Sequence, residues 1–211
     1  MIFLGPLISM AISAISAATT TIGAGLSTMA TTLLKIAGPL LEVVGKTAFD
    51  VGVQLLVNSI SPRELGARAQ LSDKKPDNFN SINNYINHLK NDIELDKTKF
   101  ENMNDTEKLA SDAIGLGIIM KGIEEKKGFE IPMNVWVDLA KLDIQNPKEI
   151  NAILDTFKSG LDMFVGYVEN KLDENKEIEV GNKLVDMYQK LDPNISKNEI
   201  EQKVVSMEIN K

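Results

Sequence analysis

The chain has no cysteine, one histidine and one tryptophan among its 211 residues. Without cysteine there is no disulfide framework and no thiolate to act as nucleophile or metal ligand. A single histidine, His88, cannot furnish a His-rich metal site. It stands in "YINHLKND" with Asp92 one helical turn later, a spacing that predicts a ring on a helix surface. No GxxxxGK[ST] loop is present to cradle phosphate. The glycines Gly115, Gly117 and Gly122 in "GLGIIMKG" have the wrong spacing for a dinucleotide fingerprint and follow a helix cap instead of a strand; close helix packing is the better reading. Nor does "DPNISKNEIEQK" carry the glycine and final spacing of a calcium loop. This thin inventory predicts a protein that is not an enzyme, with no cofactor, no metal and no small-molecule substrate.

An excess of basic charge is also missing. The formal net charge is −7, which argues against broad affinity for nucleic acid, since phosphate neutralisation requires clustered Lys and Arg. Strand signals are nearly absent, with no Asn-Gly or Asp-Gly hairpin and no sustained period-two alternation.

The third absence is local. No charged residue occurs before Lys35, and up to Ile60 the only charges are Lys35, Glu42, Lys46 and Asp50, which cancel. A cleavable secretory signal is not expected, because no Lys or Arg precedes Leu7 and the uncharged run continues past the usual cleavage distance. The stretch from Leu7 to Leu34 exceeds the roughly 20 apolar residues that a membrane-spanning helix needs. Its hydrophobicity is only moderate, because Ser and Thr interrupt it throughout. Gly23 and Gly25 in "TIGAG" divide it into two pieces. Small residues and hydroxyls of this kind suit helices that pack closely on other helices, in lipid or in an oligomer.

The next stretch, "KIAGPLLEVVGKTAFDVGVQLLVN", has two stripes. At about 100° per residue, Lys35, Glu42, Lys46 and Asp50 share one face, with neighbours four apart able to compensate each other. Leu40, Val44, Ala48, Val51 and Leu55 take the opposite side, and Gly38, Gly45 and Gly52 recur every seven residues beside the charges. Glycine is costly inside a helix, so three on one face imply close contact with another helix, either in the same monomer or across an assembly. A uniformly apolar helix followed by one with a charged stripe is the arrangement expected of a helical hairpin.

Beyond Ser61 the chain changes character. "SPRE" at Ser61, "NPKE" at Asn146 and "SKNE" at Ser196 place a cap, and in two cases a first-turn proline, ahead of an acidic third position; Asn104 or Asp105 caps another helix. Stops fall at Gly128 and at Asp192–Pro193. Helices are predicted over 81–98, 105–127, 132–142, 147–170, 174–191 and 197–208. Trp136, flanked by apolar residues, reads as a core anchor and as a candidate for partner contact.

The expected fold is all-α, with hydrophobic, small-residue-rich N-terminal helices followed by an acidic soluble helical bundle. Residues 1–61 form a membrane-inserting or self-associating region, 62–80 a short helix and polar linker, and 81–211 the bundle. The helix-packing residues are Gly23, Gly25, Gly38, Gly45 and Gly52. Function then follows from a front built to be hidden. The leading expectation is a non-enzymatic, membrane-active protein such as a translocator, pore-forming effector or membrane-penetration protein, associated with or delivered to a target membrane. The alternative is a structural or adaptor component of a phage-tail-like, virion or injection assembly, with the front buried between subunits. A third reading is a self-contained, soluble helical domain whose core is the front segment, serving as a binding module. Partners are accordingly a lipid membrane or a protein of a larger assembly, with homo-oligomerisation expected.

Overall fold

Asn104 opens the longest helix of the protein. Its side chain accepts the Glu107 N–H at 3.0 Å while the Glu107 carboxylate accepts the Asn104 N–H at 2.8 Å, a closed capping box. The helix ends at Gly128, whose φ of 77° places it in the left-handed region that glycine adopts without strain. Ser61 and Ser196 cap two further helices in the way their sequences predict. In this computed structural model, which describes residues 4–36, 38–56 and 60–209, the chain is all-α, with thirteen α-helices and no strand among the described residues.

The chain divides into two compact units, Met1–Gly128 and Phe129–Lys211. The first contains α1 (Leu4–Ala17), α2 (Thr19–Ile22), α3 (Ala24–Leu34), α4 (Gly38–Leu56), α5 (Pro62–Leu71), a 3-10 turn at Pro76–Asn78, α6 (Ile82–Asn91), α7 (Lys97–Glu101) and α8 (Asp105–Lys127). The second contains α9 (Met133–Lys141), α10 (Pro147–Thr156), α11 (Leu161–Val168), α12 (Glu174–Leu191) and α13 (Lys197–Val205). The boundaries at 61 and 81 read from composition do not coincide with this division.

The reason lies in α8. Its middle, "AIGLGIIM", is apolar and buried on every side, and a stretch of that kind must be surrounded. Ala110, Ile114, Ile118, Ile119, Met120 and Ile123 are all buried. Helices α1, α3, α4, α5 and α6 pack around it. The apolar front supplies much of this sheath through Ala11 and Ile15 of α1 and Leu26, Ala30, Leu33 and Leu34 of α3, each buried. Burying a Leu or Ile side chain of this kind stabilises the fold by about 1.5–3 kcal/mol.

This arrangement corrects the expectation of a transmembrane, membrane-inserting front. Among the described residues no helix is long and apolar enough to cross a membrane. Helix α1 has 14 residues, about 21 Å against a hydrocarbon core of about 30 Å. The uncharged run is then cut at Ala18 and again at Gly23, whose φ is 81°. Helix α4 reaches 19 residues but carries Glu42, Lys46 and Asp50. The apolar faces meet α8 of the same unit.

Helix α5 approaches α8 most closely. A Cβ added at Gly66 would lie 1.9 Å from the Ser111 carbonyl oxygen, and one at Gly115 would lie 1.8 Å from that of Pro62. Backbone meets backbone at this crossing. On its edge Arg63 grips Asp112 through two hydrogen bonds of 3.2 and 2.7 Å, and the Gln70 amide donates to Ser111 Oγ at 3.0 Å.

In the second unit the segment 147–170, predicted as one helix, is broken at Gly160 into α10 and α11, and the rings of Phe157 and Phe164 meet across the break at 5.7 Å. The core is built on Trp136, Leu139, Ile150, Leu154, Phe164 and Leu184, all buried.

Candidate functional site

The sequence singled out α4, and its glycines turn inward. A Cβ at Gly45 would stand 3.0 Å from Leu116 Cδ1, and one at Gly52 would stand 2.4 Å from Ile119 Cγ2. The stripe therefore receives α8 side chains of the same unit. Val44, Ala48 and Val51 are fully buried beside it. Gly38 starts α4, and its surroundings lie outside the described residues. Lys35, Glu42 and Lys46 are exposed and Asp50 half-buried, with Lys46 and Asp50 3.8 Å apart. At that exposure such a pair contributes little to stability.

Gly23 and Gly25 behave differently from each other. Gly23 makes the turn between α2 and α3 through its positive φ, whereas a side chain at Gly25 would meet nothing within 4 Å. Trp136 is 1 % exposed, so its ring meets its own unit's core and offers no face to a partner.

The outer face of α1 and α2 is open on the front and carries no charge. Ser9, Met10, Ser13, Ser16, Ala17 and Thr20 are exposed, recurring every three to four residues opposite Ala11 and Ile15. The hydroxyls are turned back on their own helices. Ser13 donates to the Ser9 carbonyl at 3.0 Å, Ser16 to that of Ile12 at 2.9 Å, and on α3 Thr32 to that of Thr28 at 2.9 Å. Thr19 and Ser27 join their hydroxyls at 2.8 Å across the α2–α3 turn. The result is a shallow, uncharged surface of Cβ and methyl groups around Met10, which is 56 % exposed.

No protein-family model, curated protein or solved structure matches this chain. The reading of function thus rests on the chain's own geometry.

Sequence reasoning missed one constellation. His88 is buried, not on the helix surface. Its Nδ1 lies 2.7 Å from Asp92 Oδ2 and its Nε2 lies 3.4 Å from Ser72 Oγ, while its ring meets Phe79 with centroids 5.1 Å apart. These are the residue types of a nucleophile, base and orienting carboxylate. Here, however, Ser72 is 1 % exposed, and its hydroxyl donates to the Lys74 carbonyl at 2.9 Å while accepting the Lys74 N–H at 3.1 Å. A nucleophile must be reached by substrate, and this one is sealed in a turn. The group ties the end of α5 to α6. Among the described residues there is no group of three or more His, Asp or Glu side chains placed to hold a metal ion.

Asp138 on α9 is the most deeply buried carboxyl, with Oδ1 accepting from Lys141 Nζ at 2.8 Å and Oδ2 without a hydrogen-bond partner. Burial pushes its pKa above the usual carboxylate range, against the pull of Lys141 and Lys171 and with Glu169 adding to the rise. A carboxyl raised in the folded state is held protonated there while the unfolded chain has already released its proton. Stability therefore falls as pH rises from the ordinary carboxylate range through the folded-state pKa. Asp138→Asn is expected to raise the melting temperature at pH 7, with the gain shrinking as pH falls into the ordinary carboxylate range. A lower melting temperature for the variant at pH 7 would show that the Lys141 bond outweighs the burial cost.

Proposed function

We propose that this protein is a non-enzymatic assembly component, in which the hydrophobic, small-residue-rich N-terminal helices carry the contact surface and the acidic helical part of the chain follows behind them. The observation that supports this reading is the outer face of α1 and α2. One side of these helices is committed to the first unit, α1 against α8 and α2 against α3 and α5, and the other stays exposed without a single charge. Surface helices ordinarily present charged side chains to water, and small residues with internally satisfied hydroxyls let a second helix approach closely. The occupant that fits is the same face of a second copy, since a neutral, self-complementary patch can meet its own two-fold mate without charge conflict.

Sedimentation velocity on the full-length chain tests this directly. The wild type is expected to form a defined oligomer in the micromolar range, and Met10→Glu combined with Ser16→Glu is expected to sediment as a monomer with an unchanged helical circular dichroism spectrum. Both positions are exposed, so the fold tolerates the change. A wild type that stays monomeric up to high concentration, or an oligomer indifferent to the two glutamates, rejects the proposal.

A further inference from the structure

The acid of this protein is concentrated in one unit. Residues 129–211 hold 16 Asp and Glu against 10 Lys, a net −6, while residues 1–128 hold 14 against 13 Lys and Arg, a net −1. Within the second unit α12 and α13 enclose a groove of about 240 Å³. Its walls are apolar: Ile178 and Val205, among the most exposed large hydrophobic side chains of the chain at 57 % and 58 %, stand on its two helices. Glu177 and Glu201 also line it, Glu201 standing 3.5 Å from Lys197, while Glu208 at its edge is buried; no Lys or Arg is in the lining itself.

Gly181 marks the floor. It lies inside α12 with no unusual backbone angle, and a Cβ there would meet only Tyr167 Oη at 3.7 Å and Cε2 at 3.8 Å, ordinary contact distances. Packing therefore does not require glycine, although glycine in a helix interior costs about 0.5–1 kcal/mol relative to alanine. What its absent side chain leaves open is a notch above the Tyr167 ring, whose hydroxyl is anchored to the Val204 carbonyl at 3.2 Å. This contrasts with Gly166 of α11, where a Cβ would fall 2.6 Å from Leu172 Cδ2 and that side chain would have to move.

We infer that the α12–α13 groove is a docking site for a basic amphipathic helix of a partner protein, which seats an apolar side chain in the notch at Gly181 between Ile178 and Val205 and sets Lys or Arg against Glu177 and Glu201. Helix-in-groove recognition reads apolar anchors at three- and four-residue spacing, and complementary charge at the rim steers the encounter. The carboxylates that line the groove select a basic occupant over the same face of a second copy, which would set those carboxylates against one another. The site is separate from the α1–α2 face and does not rest on that surface's role.

The test uses full-length protein and a fluorescent 18-residue helical peptide of Leu and Lys with one apolar face, beside a counterpart with Glu in place of Lys. The Lys peptide is expected to bind, with nuclear magnetic resonance shifts clustered at Ile178, Gly181 and Val205, while the Glu peptide does not. Gly181→Leu fills the notch and is expected to weaken binding roughly ten-fold or more, as loss of a central anchor does. Because Gly181→Leu alters a helix interior, Ile178→Lys provides the second variant; its side chain is exposed, and the added charge is expected to weaken the Lys peptide by a similar factor. Shifts spread evenly over the acidic surface, or variants that bind as the wild type does, overturn the assignment. Concentration-dependent shifts at the same residues without peptide would make the occupant a second copy and overturn the choice of partner.

Discussion

Gly115→Ala is expected to destabilise the first unit by at least about 3 kcal/mol, the range of severe overpacking. The added methyl would lie 1.8 Å from the Pro62 carbonyl oxygen. Backbone cannot swing aside as a side-chain tip does, so α5 and α8 must separate. That separation loosens Leu65 and Ala69 of α5, and it strains the Arg63–Asp112 and Gln70–Ser111 bonds. Hydrogen exchange resolved by peptide gives the readout, because a two-unit chain has no single well-defined unfolding free energy. Faster exchange is expected across residues 62–71 and 105–127 with little change in α9–α13. Gly66→Ala should behave alike, since its Cβ meets the Ser111 carbonyl. Gly25→Ala is the contrast: nothing lies within 4 Å of that position, so alanine should be neutral or stabilising by up to about 1 kcal/mol. Wild-type exchange in Gly115→Ala would mean that the two backbones are not in contact.

The second large effect is expected at Arg68. Its Nη1 donates to the carbonyls of Leu89 and Lys90, each at 3.2 Å, and to that of Ile93, while Nε and Nη2 donate to Glu64 Oε1 at 3.1 and 2.8 Å. One guanidinium thus closes the end of α6, where the last carbonyls have no partner in their own helix, and clamps it to α5. The side chain is 17 % exposed, so these bonds sit largely out of water. Arg68→Met is expected to cost about 2–4 kcal/mol, the range for losing charge-assisted bonds to partly buried acceptors. Arg68→Lys should recover only a minor part, because an ammonium cannot span the carbonyls and the carboxylate together. Chemical denaturation followed by exchange at residues 82–91 measures this. Equal stability of Arg68→Met and wild type, or full rescue by lysine, would reduce the clamp to an exposed ion pair.

Several elements were legible from local chemistry. The caps at Ser61, Asn104 and Ser196 each satisfy a helix N–H that has no other partner, and Gly128 supplies the left-handed residue that a helix end favours. Gly45 and Gly52, seven residues apart, face Leu116 and Ile119 of α8, and their spacing could not tell whether an approaching helix belonged to the same chain. The α12–α13 groove left one trace in the sequence, a glycine within an otherwise sustained helical pattern. His88 with Asp92 was visible as a pair, but Ser72 reaches the ring only because the turn after α5 folds back over α6. Gly66 carried no signal at all: one glycine in a short helix acquires its meaning from Ser111, which meets it in space.

By itself the sequence determined an all-α chain, most of its helix ends, a neutral front and an acidic remainder, because capping, periodicity and charge act over a few residues. Only the tertiary structure decided what the neutral front is for in the fold. An uncharged helix is equally favourable in lipid, against another subunit or around an apolar partner of its own, and composition cannot distinguish these. The middle of helix α8, apolar on every side and far along the chain, takes up that face within the first unit. The decision is made by long-range burial, which depends on which surfaces meet and leaves no local signature.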